Sequence, residues 1–99
     1  MTALEYQDLE NGKTKELKLD GVFVEIGSTP NAEFVKELVE LNDRGEIIVD
    51  CKTQQTSQSG IWAAGDATDV LYKQNNISAG DAVKAVLNIY EYLNKISIL

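Results

Sequence analysis

Gly60-Ile61-Trp62-Ala63-Ala64-Gly65-Asp66 is the stretch on which the reading of this chain turns. Ile61 to Ala64 is a short apolar run bounded by glycines, which predicts a buried strand. The strand ends in Gly65-Asp66. A short polar loop follows, and then Tyr72-Lys73-Gln74 leads into a helix. A strand end that brings a carboxylate and a helix N-terminus to one point can hold a hydroxylated, phosphorylated ligand. The free N–H groups of a helix start carry partial positive charge, and a carboxylate accepts hydrogen bonds from hydroxyls. Gly-Asp alone is also an ordinary turn, so the surrounding sequence has to decide between the two.

Outward from this stretch the chain alternates strand and helix signals. Residues 1–26 read as β structure. Thr14 to Leu19 alternates polar and apolar, with Leu17 and Leu19 on one face. Glu10-Asn11-Gly12-Lys13 is a hairpin turn signal, because Asn-Gly tolerates positive φ. Val22-Phe23-Val24-Glu25-Ile26 is strongly β-prone and predicts a strand covered on both faces. Asn31 is placed to cap a helix from about Ala32 to Leu41, with Phe34, Leu38 and Leu41 on its buried face. Ile47-Ile48-Val49 predicts a short strand, and Lys52 to Ser59 a polar loop. The last helix is expected from about Asn76 to Asn94. Ala79, Val83, Val86, Tyr90 and Leu93 recur along it at core-facing spacing. Ile96, Ile98 and Leu99 make an apolar tail suited to an edge strand or to docking on a neighbour.

Composition narrows the function classes. The 99 residues have room for one small domain. Nine basic against 16 acidic side chains give a net charge of -7. No basic stripe is present to neutralise phosphates, which argues against nucleic acid and against an anionic membrane surface. No run is long enough to cross a bilayer, and the start lacks the regions of a signal peptide. One cysteine and no histidine exclude an internal disulfide and a Cys/His metal site. These features together suit a cytoplasmic protein. Cys51 reads as a free, structural cysteine.

The ordered set Gly27-Ser28-Thr29-Pro30-Asn31, Gly45-Glu46-Ile47-Ile48-Val49-Asp50, Gly60 through Asp66, Tyr72-Lys73-Gln74 and Ala79-Gly80-Asp81-Ala82 resembles the C-terminal portion of the thioredoxin reductase-like FAD/NAD(P)-dependent disulfide oxidoreductases. Among these it is most similar to the flavoprotein subunits of alkyl hydroperoxide reductases. The resemblance covers about residues 1–94, and its specificity lies in the order and spacing of the whole set. It implies an α/β fold: a partial doubly wound, Rossmann-like FAD-binding domain preceded by antiparallel β strands. Residues 1–26 would be the closing strands of an inserted NAD(P)-binding domain. Residues 27–99 would be the C-terminal segment of the FAD-binding domain, with Pro30 and Asn31 marking the crossing.

The resemblance also implies a cofactor-binding set of Gly65, Asp66, Ala67, Lys73, Gln74 and Asn75. Asp66 would accept from a ribityl hydroxyl of FAD, the backbone after Gly65 would approach the cofactor closely, and Lys73 and Gln74 would sit beside the flavin. The N-terminus of the last helix would stabilise negative charge developing on the reduced flavin. No catalytic residue is expected within the chain. The Gly-x-Gly-x-x-Gly turns and the Cys-x-x-Cys pair of the family are absent, so only a half-site for FAD is expected, with NAD(P)H bound by the complete protein. Asn75-Asn76 stand where the family carries apolar residues, and Ala82 where relatives often carry glycine.

Three readings follow: a segment of an NAD(P)H-oxidising disulfide reductase, inactive alone; a stand-alone, non-catalytic flavin-binding or interaction module; or a structural partner that completes another chain. Met1 precedes residues that read as mid-domain sequence, so a cloning start or a truncation is expected there. Half a doubly wound domain leaves faces uncovered, so a homodimer or a complementing N-terminal segment is expected as partner.

Overall fold

The computed structural model of the chain describes residues 1–97. It opens with a hairpin of β1 (Ala3–Gln7) and β2 (Thr14–Lys18), antiparallel with Leu4 opposite Leu17 and Tyr6 opposite Lys15. Asp8 organises the connection. Its Oδ1 accepts from the Glu10 N–H (2.9 Å) and its Oδ2 from Asn11 Nδ2 (3.0 Å), while Lys15 pairs with the same carboxylate. Gly12 turns the chain at φ 69°, a conformation that glycine adopts without a Cβ clash. The Lys15 ammonium and the backbone N–H of Glu10 hold the Asp8 carboxyl below its ordinary range.

The hairpin contacts neither of the later helical elements. The molecule is correspondingly drawn out, at 70 × 25 × 21 Å. Its radius of gyration is 20.3 Å, where a compact domain of this length has about 13 Å.

The predicted strand Val22–Ile26 does not form. The segment is extended, with Phe23 95% exposed and Ile26 96% exposed. Its β propensity has no neighbouring strand to pair with among the described residues, and β propensity expresses packing on a sheet more than backbone preference. The predicted helix over 32–41 also shrinks, to one 3₁₀ turn at Glu33–Val35 followed by turns. Ala32, not Asn31, stands at its N-cap, without a side-chain cap. Phe34 (80% exposed) and Leu38 face outward, whereas Ala32 and Val39 are buried. In so short a tight turn the inward face is set by tertiary contacts, and the 3.6-residue period does not apply.

The core gathers Ala32, Val39 and Ile47, with Val35, Leu41, Val49, Ile61, Ala63 and Ala67 packed against them. Ile47 is its hub. It bridges Leu41 in antiparallel sense and Thr68 in parallel sense. The Ile47 N–H donates to Ala67 O (2.8 Å), and the Asp69 N–H to Ile47 O (3.0 Å). Residues 47–49 and 61–64 therefore carry isolated bridges, two at Ile47 and one at Trp62, in place of the predicted strands. Trp62 bridges only Gln55, and Ile61 to Ala64 are half-buried.

The last helix, α1 (Asn75–Ser97), forms close to expectation. Its inward face differs from the predicted stripe. Asp81 and Ala85 are its buried residues, while Val83, Val86, Tyr90 and Leu93 are exposed. Trp62 fastens the helix: its Nε1 donates to Asn88 Oδ1 (2.9 Å), and its ring meets Tyr92 edge-on at 5.2 Å. Lys84 adds a second tie, donating to Cys51 O (2.8 Å) and pairing with Asp81 Oδ1 (2.7 Å). Cys51 is free and exposed. Ile96 belongs to α1, while Ile98 and Leu99 of the expected apolar tail lie outside the described residues.

Candidate functional site

The apolar run 61–64 ends at Gly65, whose φ of 91° sends the chain into a tight turn. A Cβ at Gly65 would lie 3.5 Å from Ser78 Oγ. That is ordinary contact, so the requirement for glycine comes from the backbone angle. Thr68 closes the turn. Its N–H (3.0 Å) and its Oγ1 (2.7 Å) both donate to Gly65 O, and the residue is 0% exposed. Asp66 projects from the turn with its carboxylate free toward solvent on one side. On the other side Ser78 Oγ donates to Asp66 Oδ1 at 3.2 Å. Ser78 lies in the first turn of α1, so this bond ties the Gly65–Thr68 turn to the helix start.

Gln74 acts as the N-cap of α1, its carbonyl accepting from the Ser78 N–H at 2.9 Å. Asn75, Asn76 and Ile77 then present N–H groups with no protein acceptor among the described residues, as helix geometry requires. A cavity of about 590 Å³ is lined by Asp66, Lys73, Gln74, Asn75, Asn76 and Ile77. A larger cleft of about 810 Å³ adjoins it through Lys73 and Gln74, with Ser28, Thr29, Arg44 and Glu46 on its wall.

The structure thus brings Gly65, Asp66, Lys73, Gln74 and Asn75 to one place. Ala67 differs. It packs against the core, and its carbonyl accepts from the Ile47 N–H. Its N–H is unpaired among the described residues, and Ala67 does not line the cavity. Lys73 is half-buried, its ammonium 3.0 Å from Glu46 Oε1. Asn42 Nδ2 donates to the other oxygen, Glu46 Oε2, at 2.7 Å. The Asn42 amide and the Lys73 ammonium hold the Glu46 carboxyl below its ordinary range, against the opposing effect of burial.

Ser78, Thr68 and Glu46 contact the candidate site residues and were not singled out for it in the sequence. Ser78 had a signal, since it stands one turn into the helix whose N-terminus the sequence marks. Glu46 stands in the ordered set that carries the resemblance, but its pairing with Lys73 had no sequence signal, because the two meet only through the bridge that Ile47 makes to Thr68. No group of acidic, cysteine or histidine side chains among the described residues is arranged to hold a metal. No helix of the described residues is long and apolar enough to cross a membrane.

The carboxylate of a glycine turn and an open helix N-terminus border one cavity, an arrangement that can receive a hydroxylated, anionic ligand. The fold is that of part of the FAD-binding domain of thioredoxin reductases. It superposes on the enzyme of T. acidophilum with a TM-score of 0.70 at 40% identity, covering 91% of this chain and 30% of that one. Against the enzyme of Streptococcus pyogenes MGAS5005 the TM-score is 0.74 at 29% identity, covering 95% and 30%.

Residues 2–85 match the family model described as pyridine nucleotide-disulphide oxidoreductase, and the chain belongs to that family. Among curated relatives, it is 46% identical over 93 residues to the F subunit of alkyl hydroperoxide reductase from Staphylococcus aureus strain MSSA476, covering 94% of this chain. It is also 46% identical over 97 residues to the corresponding protein of Pseudomonas aeruginosa PAO1, covering 98% of this chain. The chain spans 18% of the length of each of these relatives. The family is one that binds FAD and NAD(P)H.

Proposed function

We propose that this chain supplies the C-terminal FAD-binding segment of a thioredoxin reductase-like flavoprotein, and that it is inactive as an isolated chain. In this reading residues 1–26 are the closing strands of an inserted NAD(P)-binding domain, and residues 27–99 complete the FAD domain. Bound FAD would carry electrons from NAD(P)H to a disulfide. The chain's own part is to bind and orient. The Asp66 carboxylate accepts from a ribityl hydroxyl. The N–H groups after Gly65 and at the start of α1 receive the cofactor's polar edge. Gln74 and Asn75 border the flavin. The partial positive charge at the N-terminus of α1 favours negative charge on the reduced ring.

The observation that carries this reading is the convergence of the Gly65–Asp66 turn and the first turn of α1 on one cavity, tied by the bond from Ser78 Oγ to Asp66 Oδ1. The exposed stripe Val83, Val86, Tyr90 and Leu93 supports a partner, either a second copy or a complementing N-terminal segment. The test is FAD titration of this chain co-expressed with the N-terminal part of an alkyl hydroperoxide reductase relative, wild type against Asp66→Ala. Loss of a charge-assisted hydrogen bond weakens binding by about 1.5–3 kcal/mol. Equal affinity would make Asp66 a turn residue only. Turnover of NAD(P)H by the chain alone, above a no-protein control, would contradict its inactivity.

A further inference from the structure

The ammonium of Lys73 is fully engaged within the chain. Its Nζ donates to the carbonyl oxygens of Thr68 (2.7 Å), Asp66 (3.1 Å) and Val70 (3.3 Å), and lies 3.0 Å from Glu46 Oε1. An ammonium has three protons, and these four acceptors leave none for a ligand. Glu46 is a prepared anchor. It is 6% exposed, and Asn42 fixes it twice: Nδ2 donates to its carboxylate at 2.7 Å, and Oδ1 accepts from its N–H at 3.0 Å.

The consequence reaches the Asp66 turn through peptide geometry. In a trans peptide the C=O and the following N–H point in opposite directions. Drawing Asp66 O toward Lys73 therefore turns the Ala67 N–H away from it, and that N–H has no acceptor among the described residues.

We propose that Lys73 and Glu46 form a positioning pair: the Glu46-anchored ammonium gathers the carbonyls of Asp66, Thr68 and Val70, holding the turn so that the Asp66 carboxylate stands ready on the cavity for a hydroxylated ligand that the Lys73 ammonium does not touch. Only the identity of that ligand, FAD, rests on the function proposed above. In this proposal the Lys73 ammonium acts behind the turn while the residue still borders the cavity, and a carboxylate can sit behind that lysine without spoiling an anion site.

The first test needs no flavin. Amide hydrogen exchange is measured on the whole chain, wild type, Lys73→Met, Glu46→Ala and the double variant. The reporters are the N–H groups of Thr68 and Asp69, whose acceptors, Gly65 O and Ile47 O, no variant alters. Each single variant should exchange about tenfold faster there, the worth of one charge-assisted hydrogen bond. The double variant should be no faster than either. Amides of Lys84 to Asn88 serve as the reference and should not change. Unchanged reporters, additive effects, or equal acceleration at the reference amides would overturn the pair.

The second test uses FAD with the co-expressed complex. Both variants should weaken FAD by the same factor and leave the midpoint potential of bound flavin unchanged. A potential shift in Lys73→Met alone would show direct contact with the flavin and would overturn the positioning role. Failure of the wild-type complex to bind FAD would refute the proposed function, while the exchange measurement would still decide the pair.

Discussion

Replacing Trp62 by phenylalanine should loosen α1 from the rest of the chain by about 1 kcal/mol, the worth of one half-buried neutral hydrogen bond. Phenylalanine keeps a ring to set against Tyr92 and deletes only the donor 2.9 Å from Asn88 Oδ1. Asn88 is itself half-buried, so its freed amide oxygen can reach water, and the loss stays near the middle of the usual range. Tyr92→Leu removes the other half of the contact, the edge-on pair at 5.2 Å and 70°, worth about 0.5–1.5 kcal/mol. Trp62→Ala removes both interactions and packed surface as well, so its effect should exceed their sum. The assay is urea unfolding of the whole chain followed by helical circular dichroism, which does not depend on the substituted tryptophan. The decisive quantity is the coupling energy in the cycle of Trp62→Phe, Asn88→Ala and the double variant, expected at about 1 kcal/mol. Coupling below about 0.3 kcal/mol, within the error of additivity, would refute the reasoning that this bond fastens the helix.

Gly65→Ala should cost about 1–2 kcal/mol in the same assay, from holding an L-residue at φ 91° and not from crowding. A neutral substitution would show that the turn relaxes freely. Acid should loosen the loop around Lys73. The Glu46 carboxyl is held below its ordinary value of 4.5 in the folded chain, so its contribution is fully present above that value and is lost as pH falls through the lower folded one. Exchange at Thr68 and Asp69 should therefore accelerate below about pH 4.5 in the wild type and lose this component in Glu46→Ala; an identical acid response in both would contradict it. The exposed apolar face of α1 should drive self-association of the isolated chain, reduced by Val86→Glu. Light scattering that finds a folded monomer at every concentration would contradict that expectation.

The legible parts of the chain are those whose signals are local. The β1–β2 hairpin follows from alternation around Asn11-Gly12. The last helix follows from an uninterrupted run without proline. Gly65-Asp66 and Tyr72-Lys73-Gln74 are marked as a candidate site by their order, and the fold places Asp66, Lys73, Gln74 and Asn75 around one cavity, with Gly65 in the turn behind it. Ala67 is marked with them, but its side chain turns to the core.

What only the tertiary structure decided is everything that depends on who stands opposite. Val22–Ile26 and Ile61–Ala64 have strand-forming residues, yet a strand exists only where a neighbour supplies its hydrogen bonds. The former stays exposed, and the latter makes a single bridge from Trp62 to Gln55. The stripe along α1 has the right period for a core, but periodicity states that one face is apolar without saying what covers it. Trp62 selects the face carrying Asn88 and Tyr92 instead. Lys73 is the sharpest case. Its charge is plain in the sequence, but its partners are three carbonyls and a carboxylate drawn together by the Ile47–Thr68 bridge. Electrostatic role is a property of distance, and distance is assigned by the fold.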